Sequence, residues 1–192
     1  MKFMKYMVIT GDNRITDAVQ LPGAASIIRS VMEQDVISKR DGIVHIDVKS
    51  SSRNEYVDYI ESPVPIVSTR LQQLLLLYDA NLFFKPVALL DQANQRQEMY
   101  WLLIPDRIDC LSEASELHPN KTLKHLVIDI AKIGSSKFFQ VDGLLETVIV
   151  IRLDVAESML RRGFTGYRLN RVDNLDCLSE QASSIRTGLL SI

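Results

Sequence analysis

The sequence predicts an α+β fold, a mostly antiparallel sheet with three or more packed helices, and three observations carry that prediction. Short alternating apolar and polar runs recur, as in Ile43–Lys49, where Val44, Ile46 and Val48 share one side. Between such runs lie stretches with apolar residues at helical spacing, such as Leu71, Leu74, Leu75 and Tyr78. Turn residues, not linkers, join them, and no low-complexity segment or long charge run divides the chain. One α+β domain over residues 1–192 is therefore expected. It has N-terminal strands and a helix in 1–61, a central core in 62–175, and a tail or weak helix in 176–192.

In order, residues 3–10 predict a first strand, closed by the polar Gly11-Asp12-Asn13 loop. Pro22-Gly23 leads into a helix carrying Ala24, Ile27, Ile28, Val31 and Met32, which ends before Asp41-Gly42. Ile43–Lys49 is a half-buried strand, and Tyr56–Glu61 is a further one on the surface edge. Pro63 and Pro65 then break regular structure, since each removes a donor and holds the chain extended. Ser68 caps the next helix, and Asn81 closes it.

Residues 82–90 and 99–104 form a hairpin across the polar loop 91–97. Tyr100-Trp101-Leu102-Leu103-Ile104 is apolar on both faces and belongs inside the sheet, which gives the single tryptophan a core role. Residues 123–130 and 146–152 are later strands around Gly134 and Asp142-Gly143. Asp154 and Glu157 suggest a capped helix with Ala156, Met159 and Leu160 inward and Gly163 as its stop. Residues 164–172 return as a strand.

Composition narrows the function classes. A chain of 192 residues that is 46% hydrophobic can bury roughly 70% of its unfolded surface, enough for a core without staples. A net charge of −2 supplies no field to gather nucleic acid. The densest basic group, Arg161, Arg162, Arg168 and Arg171, straddles a helix end, where it complements the dipole. The segment 1–7 lacks a sustained apolar region, and the runs 74–78 and 148–151 are too short to span a bilayer. No nucleic-acid or membrane partner is expected, and the location expected is cytoplasmic.

The chemistry-bearing residues are sparse. His45, His118 and His125 fall in no metal-ligand spacing, there is no Cys-x-x-Cys, and no cofactor is expected. The two cysteines, Cys110 and Cys177, sit in matching places of two blocks, 68–115 and 154–183, that both contain Asp-Cys-Leu-Ser-Glu. Flanking leucines suggest small buried residues, while a disulfide between them stays open. The Asp and Ser of the first copy, Asp109 and Ser112, suit a turn in which side chains take up free backbone donors.

Four stretches, taken in order, resemble a known family: Pro65–Leu71, Phe84-Lys85-Pro86-Val87, Tyr100–Ile104 leading to Asp109-Cys110-Leu111, and Gly163-Phe164-Thr165-Gly166-Tyr167. Together they are similar to a bacterial polymorphic-toxin immunity family, first catalogued as a domain of unknown function (immunity protein eleven or forty-three type). Ser112 departs from the acidic residue that family favours there. The resemblance implies a non-enzymatic inhibitor, binding a cognate toxin domain encoded next to this gene. The segment Glu55, Tyr56, Asp58, Tyr59 and Glu61 is then the expected contact surface, with tyrosine anchors and carboxylates to steer a basic toxin. Two alternatives remain: a small hydrolase using Cys110 or Cys177, and a structural module that homodimerises through an exposed strand.

Overall fold

A computed structural model describes residues 5–34 and 42–174. The second Asp-Cys-Leu-Ser-Glu block with Cys177, and the tail expected over 176–192, lie outside the described residues. The elements run β1 (Tyr6–Gly11), α1 (Ala24–Gln34), β2 (Val44–Asp47), β3 (Tyr59–Ile60), β4 (Ile66–Ser68), α2 (Thr69–Tyr78), β5 (Phe83–Asp91) and β6 (Arg96–Ile104). There follow β7 (Arg107–Ile108), β8 (Glu116–Leu117), β9 (Leu123–His125), β10 (Val127–Ile128), α3 (Ile130–Ile133), β11 (Phe138–Val141), β12 (Ile149–Arg152), α4 (Leu153–Arg161), β13 (Tyr167–Arg171) and β14 (Asp173–Asn174). The fold is mixed α and β with mostly antiparallel sheets, and helices are the minor part: α3 is a single turn of four residues.

The described residues gather into two compact units that do not follow chain order. Among the described residues, unit 2 comprises 10–34, 42–104 and 157–168. Its sheet runs β2-β5-β6-β4-β3, parallel only between β2 and β5. The β5–β6 hairpin is longer than the sequence suggests, pairing Phe83 with Ile104 through to Asp91 with Arg96 around a four-residue turn. Pro86 sits inside β5 without breaking it, because the β2 ladder starts only at Val87, so no amide is needed on that edge. In β6, Tyr100 and Leu102 are buried on one face and Leu103 on the other. Trp101 is half-buried, its indole N–H donating to Thr69 Oγ1 at 3.1 Å.

The core of unit 2 joins Ile28 of α1, Ile46 of β2, Val87 and Leu89 of β5, and Tyr100 and Leu102 of β6. The alternation that predicts β2 holds: Val44 and Ile46 are buried while His45 and Asp47 are exposed. Ser68 caps α2 as expected, its hydroxyl accepting from the Leu71 amide at 3.2 Å. The helix ends at Tyr78 with Asp79 as its C-cap, two residues before Asn81.

Among the described residues, unit 1 comprises 5–9, 105–156 and 169–174. Its main sheet runs β13-β1-β12-β11-β7, with β1 antiparallel to β12 from Tyr6–Arg152 to Ile9–Ile149. Tyr6 packs edge-on against Phe139, ring centres 5.7 Å apart, in a core that includes Cys110, Ile128, Val141 and Val150. Two expectations for α4 need correction. The helix begins at Leu153, so Asp154 lies in its first turn, held by Arg152 at 2.6 and 2.9 Å. Leu160 is 62% exposed, because the buried stripe centres on Val155 and Met159, four residues apart, and leaves Leu160 on its flank.

Candidate functional site

The acidic stretch 55–61 lies in unit 2 and divides sharply by burial. Glu55 and Glu61 are exposed, and Tyr56 and Asp58 are half-buried. Tyr59 is only 2% exposed, which corrects the expectation of a surface tyrosine. The reason lies in the backbone. Tyr59 pairs with Val67 of β4 on one side and donates its amide to the Thr165 carbonyl at 3.1 Å on the other, so β3 is no free edge.

Gly166 allows that approach. It adopts φ +91, and a Cβ there would overlap the Tyr59 carbonyl and stand 2.7 Å from Val57 Cβ. Asp58, read from sequence as a steering charge, is instead a connector. Its carboxylate accepts from Ser68 Oγ at 2.6 Å and the Thr165 amide at 3.0 Å, with Arg70 at 3.5 Å. One side chain thus links the α2 cap to the segment after α4. Arg70 extends the same junction by lying 4.7 Å over the Phe164 ring.

Tyr56 is tied down as well. Its hydroxyl donates to Asp91 at 3.3 Å, and the Arg96 guanidinium stacks 3.8 Å above its ring. Asp91, 1% exposed, also accepts from the Asn54 amide group at 3.2 Å and from Asn94 at 2.8 and 3.2 Å. Those donors, led by the Asn94 side chain, hold its carboxyl below the usual aspartate range.

Beside these connectors lies an open cleft of about 760 Å³, also within unit 2. One wall is the segment 11–23 and the other is 57–63, with Gly166 at the end. The first wall is pinned to the chain opposite by the Glu55 amide donating to the Asp17 carbonyl at 2.7 Å, and by the Lys49 amide donating to the Gln20 carbonyl at 2.9 Å. A smaller polar hollow of about 300 Å³ adjoins it and shares Thr16, Ala18, Gln20 and Lys49.

Four charged or ionisable groups line the cleft. Asp12 is gripped by Arg14 at 2.7 and 2.8 Å, and those bonds bring its carboxyl down to about 2. Glu61 accepts from the Gly11 amide at 2.8 Å. Lys49 donates to the Gln20 side chain at 3.1 Å. Tyr59 is held protonated, first by burial and then by the Glu61 charge, both of which push its phenol well above the ordinary value. The chain matches no protein-family model, and no curated protein is significantly similar to it.

The remaining candidates lie elsewhere. Cys110, in unit 1, is fully buried, and burial pushes its thiol up to about 11, a poor state for a nucleophile. Ser112 builds the expected turn by accepting from the Ala114 amide at 3.1 Å. His45 is exposed on β2, and His125 lies 3.0 Å from Asp173. Among the described residues no three His, Cys, Asp or Glu side chains come together as a metal site. No described helix is long and apolar enough to cross a membrane. Sequence reasoning missed the cleft, because its walls are some forty residues apart in the chain and neither carries a local motif.

Proposed function

We propose that this chain is a cytoplasmic immunity protein that binds and neutralises a cognate bacterial toxin effector by protein–protein contact, with the cleft of unit 2 as the docking site. The observation that carries the reading is a preformed recess with the exposed Glu61 carboxylate on its wall, held there by its bond from the Gly11 amide. Such a surface loses little conformational freedom on binding, so more of the contact energy appears as affinity. Glu61 on its wall and Glu55 nearby are open to steer a basic partner.

One of the stretches that carry the family resemblance reaches the cleft. Pro65–Leu71 supplies β4 and the α2 cap, Phe84–Val87 lies in β5, and Tyr100–Ile104 lies in β6. Gly163–Tyr167 runs past β3, and its Gly166 lines the cleft, whereas Asp109-Cys110-Leu111 belongs to unit 1. Tight inhibition needs about 1,600 Å² of total buried surface, more than a cleft alone, so the recess serves as the centre of a broader contact.

Co-expression tests this directly. The toxic domain encoded by the adjacent gene should be tolerated in cells that make this chain, and the two should co-purify. A neighbour whose toxicity persists undiminished, with no complex recovered, removes the proposal.

A further inference from the structure

The sheet of unit 2 ends in two strands, and the described residues cover only one of them. At β3 the Tyr59 amide donates to the Thr165 carbonyl at 3.1 Å, so the chain closes that end itself. At the other end lies β2, which pairs with β5 alone. The register shows which of its backbone groups are in use. With Asp47 opposite Leu90, the Val48 amide donates to the Leu90 carbonyl at 2.9 Å. Peptide groups alternate sides along a strand. Val44, Ile46 and Val48 therefore turn their amides and carbonyls toward β5, and His45, Asp47 and Lys49 turn theirs outward.

The Lys49 amide is taken up by the Gln20 carbonyl at 2.9 Å. Those of His45 and Asp47 have no partner among the described residues. Sheet edges are commonly blunted by a proline, a lysine or a bulge. The four residues of β2 contain neither proline nor lysine, and their ladder with β5 runs without a register shift.

We propose that two copies of this chain associate by antiparallel pairing of β2 with β2, on a twofold axis through Ile46. His45 then stands opposite Asp47 of the second copy, and Asp47 opposite its His45. These are the two residues whose backbone groups face outward, so each pair closes with two N–H···O=C bonds, the narrow pair of an antiparallel ladder. The contact is self-complementary, as a twofold interface requires.

The side chains select the same register. His45 and Asp47 are both exposed and share one face of β2. Across the axis an imidazole faces a carboxylate twice, and cross-strand partners of this kind favour their register. The Asp47 carboxylate accepts from the Gln92 side chain at 3.0 Å and keeps lone pairs for the imidazole. One step further out, Ile43 meets Lys49, whose amide is already bonded to Gln20, and the ladder stops there. A contact this short buries well under the ~1,600 Å² of a standard interface, so the dimer is weak and depends on concentration.

Sedimentation of the full chain from micromolar to millimolar concentration tests this. The mass should rise from monomer to dimer. His45→Pro removes an outward N–H that the free fold does not use, so the melting temperature should hold while association weakens about tenfold or more. His45→Glu sets like charges opposite each other and should also weaken it about tenfold. Adding Asp47→Lys to His45→Glu restores opposite charges and should recover most of that loss, which a merely structural role for either residue does not predict. If His45→Pro fails to fold, the Glu variant and its rescue carry the test.

A monomer at every concentration would overturn the proposal, and so would a dimer that neither substitution at His45 weakens. A chain that stays monomeric alone while a toxin domain protects the His45 and Asp47 amides from exchange would give this edge to a partner strand, and self-pairing would fall.

Discussion

Asp58 and Glu61 lie three residues apart in unit 2 and do opposite work. Asp58 faces inward and takes hydrogen bonds from Ser68, Arg70 and Thr165, so its charge is used in joining segments of the chain. Glu61 faces the cleft with one amide bond and capacity to spare. The tyrosines differ in a similar way: the buried Tyr100 donates its hydroxyl to the Val57 carbonyl, while the buried Tyr59 makes no side-chain hydrogen bond among the described residues. The lesson is that polar residues with every valence filled hold a fold together, while those left open in a recess are available to a partner.

The largest expected effect tests the frame shared by both regions. Gly166→Ala should destabilise the chain by about 3 kcal/mol or more in urea unfolding, since it strains a positive φ and drives a methyl group into Val57 and the Tyr59 carbonyl. A loss of under about 0.5 kcal/mol, the level of an ordinary surface change, would show that this approach has slack.

Asp58→Ala comes next. It strands the Thr165 amide and the Ser68 hydroxyl, and should cost about 2–3 kcal/mol by the same measurement. Glu61→Ala, losing one exposed amide contact, should cost well under half of that; equal costs would erase the comparison.

The tyrosine pair sharpens it on a smaller scale. Tyr100→Phe should lose about 1–1.5 kcal/mol with its bond to Val57. Tyr59→Phe should leave stability within about 0.5 kcal/mol of the natural chain.

Acid supplies the most modest test. The donors around Asp91 hold its folded carboxyl below the ordinary aspartate value near 4, so the unfolded chain takes up that proton first as pH falls. The stabilisation is therefore fully present above about pH 4 and fades as pH drops through the lower, folded value. Asp91→Asn should flatten the stability profile in that window, and an unchanged slope would mean that those bonds do not favour the charged form.

Much of the frame was legible in local sequence. Ser68 before a leucine stripe announced the α2 cap, the alternation of Val44, His45, Ile46 and Asp47 announced β2, and the doubly apolar 100–104 announced an inner strand. The expected site was less so. A charged run with two tyrosines reads as a solvated edge, yet β3 is sandwiched because Gly166 brings a segment more than one hundred residues away against it. Asp58 looked like a surface charge for the same reason: its donors come from residues 68, 70 and 165, and no spacing rule links them. In α4, Leu160 fits the helical period as well as Val155 does, and only the packing selects which side of the stripe is covered.

Hydrogen exchange of this chain with and without the toxin domain encoded beside it tests the account most directly. The account predicts that amides across 11–23 and 59–61 slow markedly when the complex forms. A complex that leaves those two segments exchanging at their free rates, or no complex at all, would contradict it.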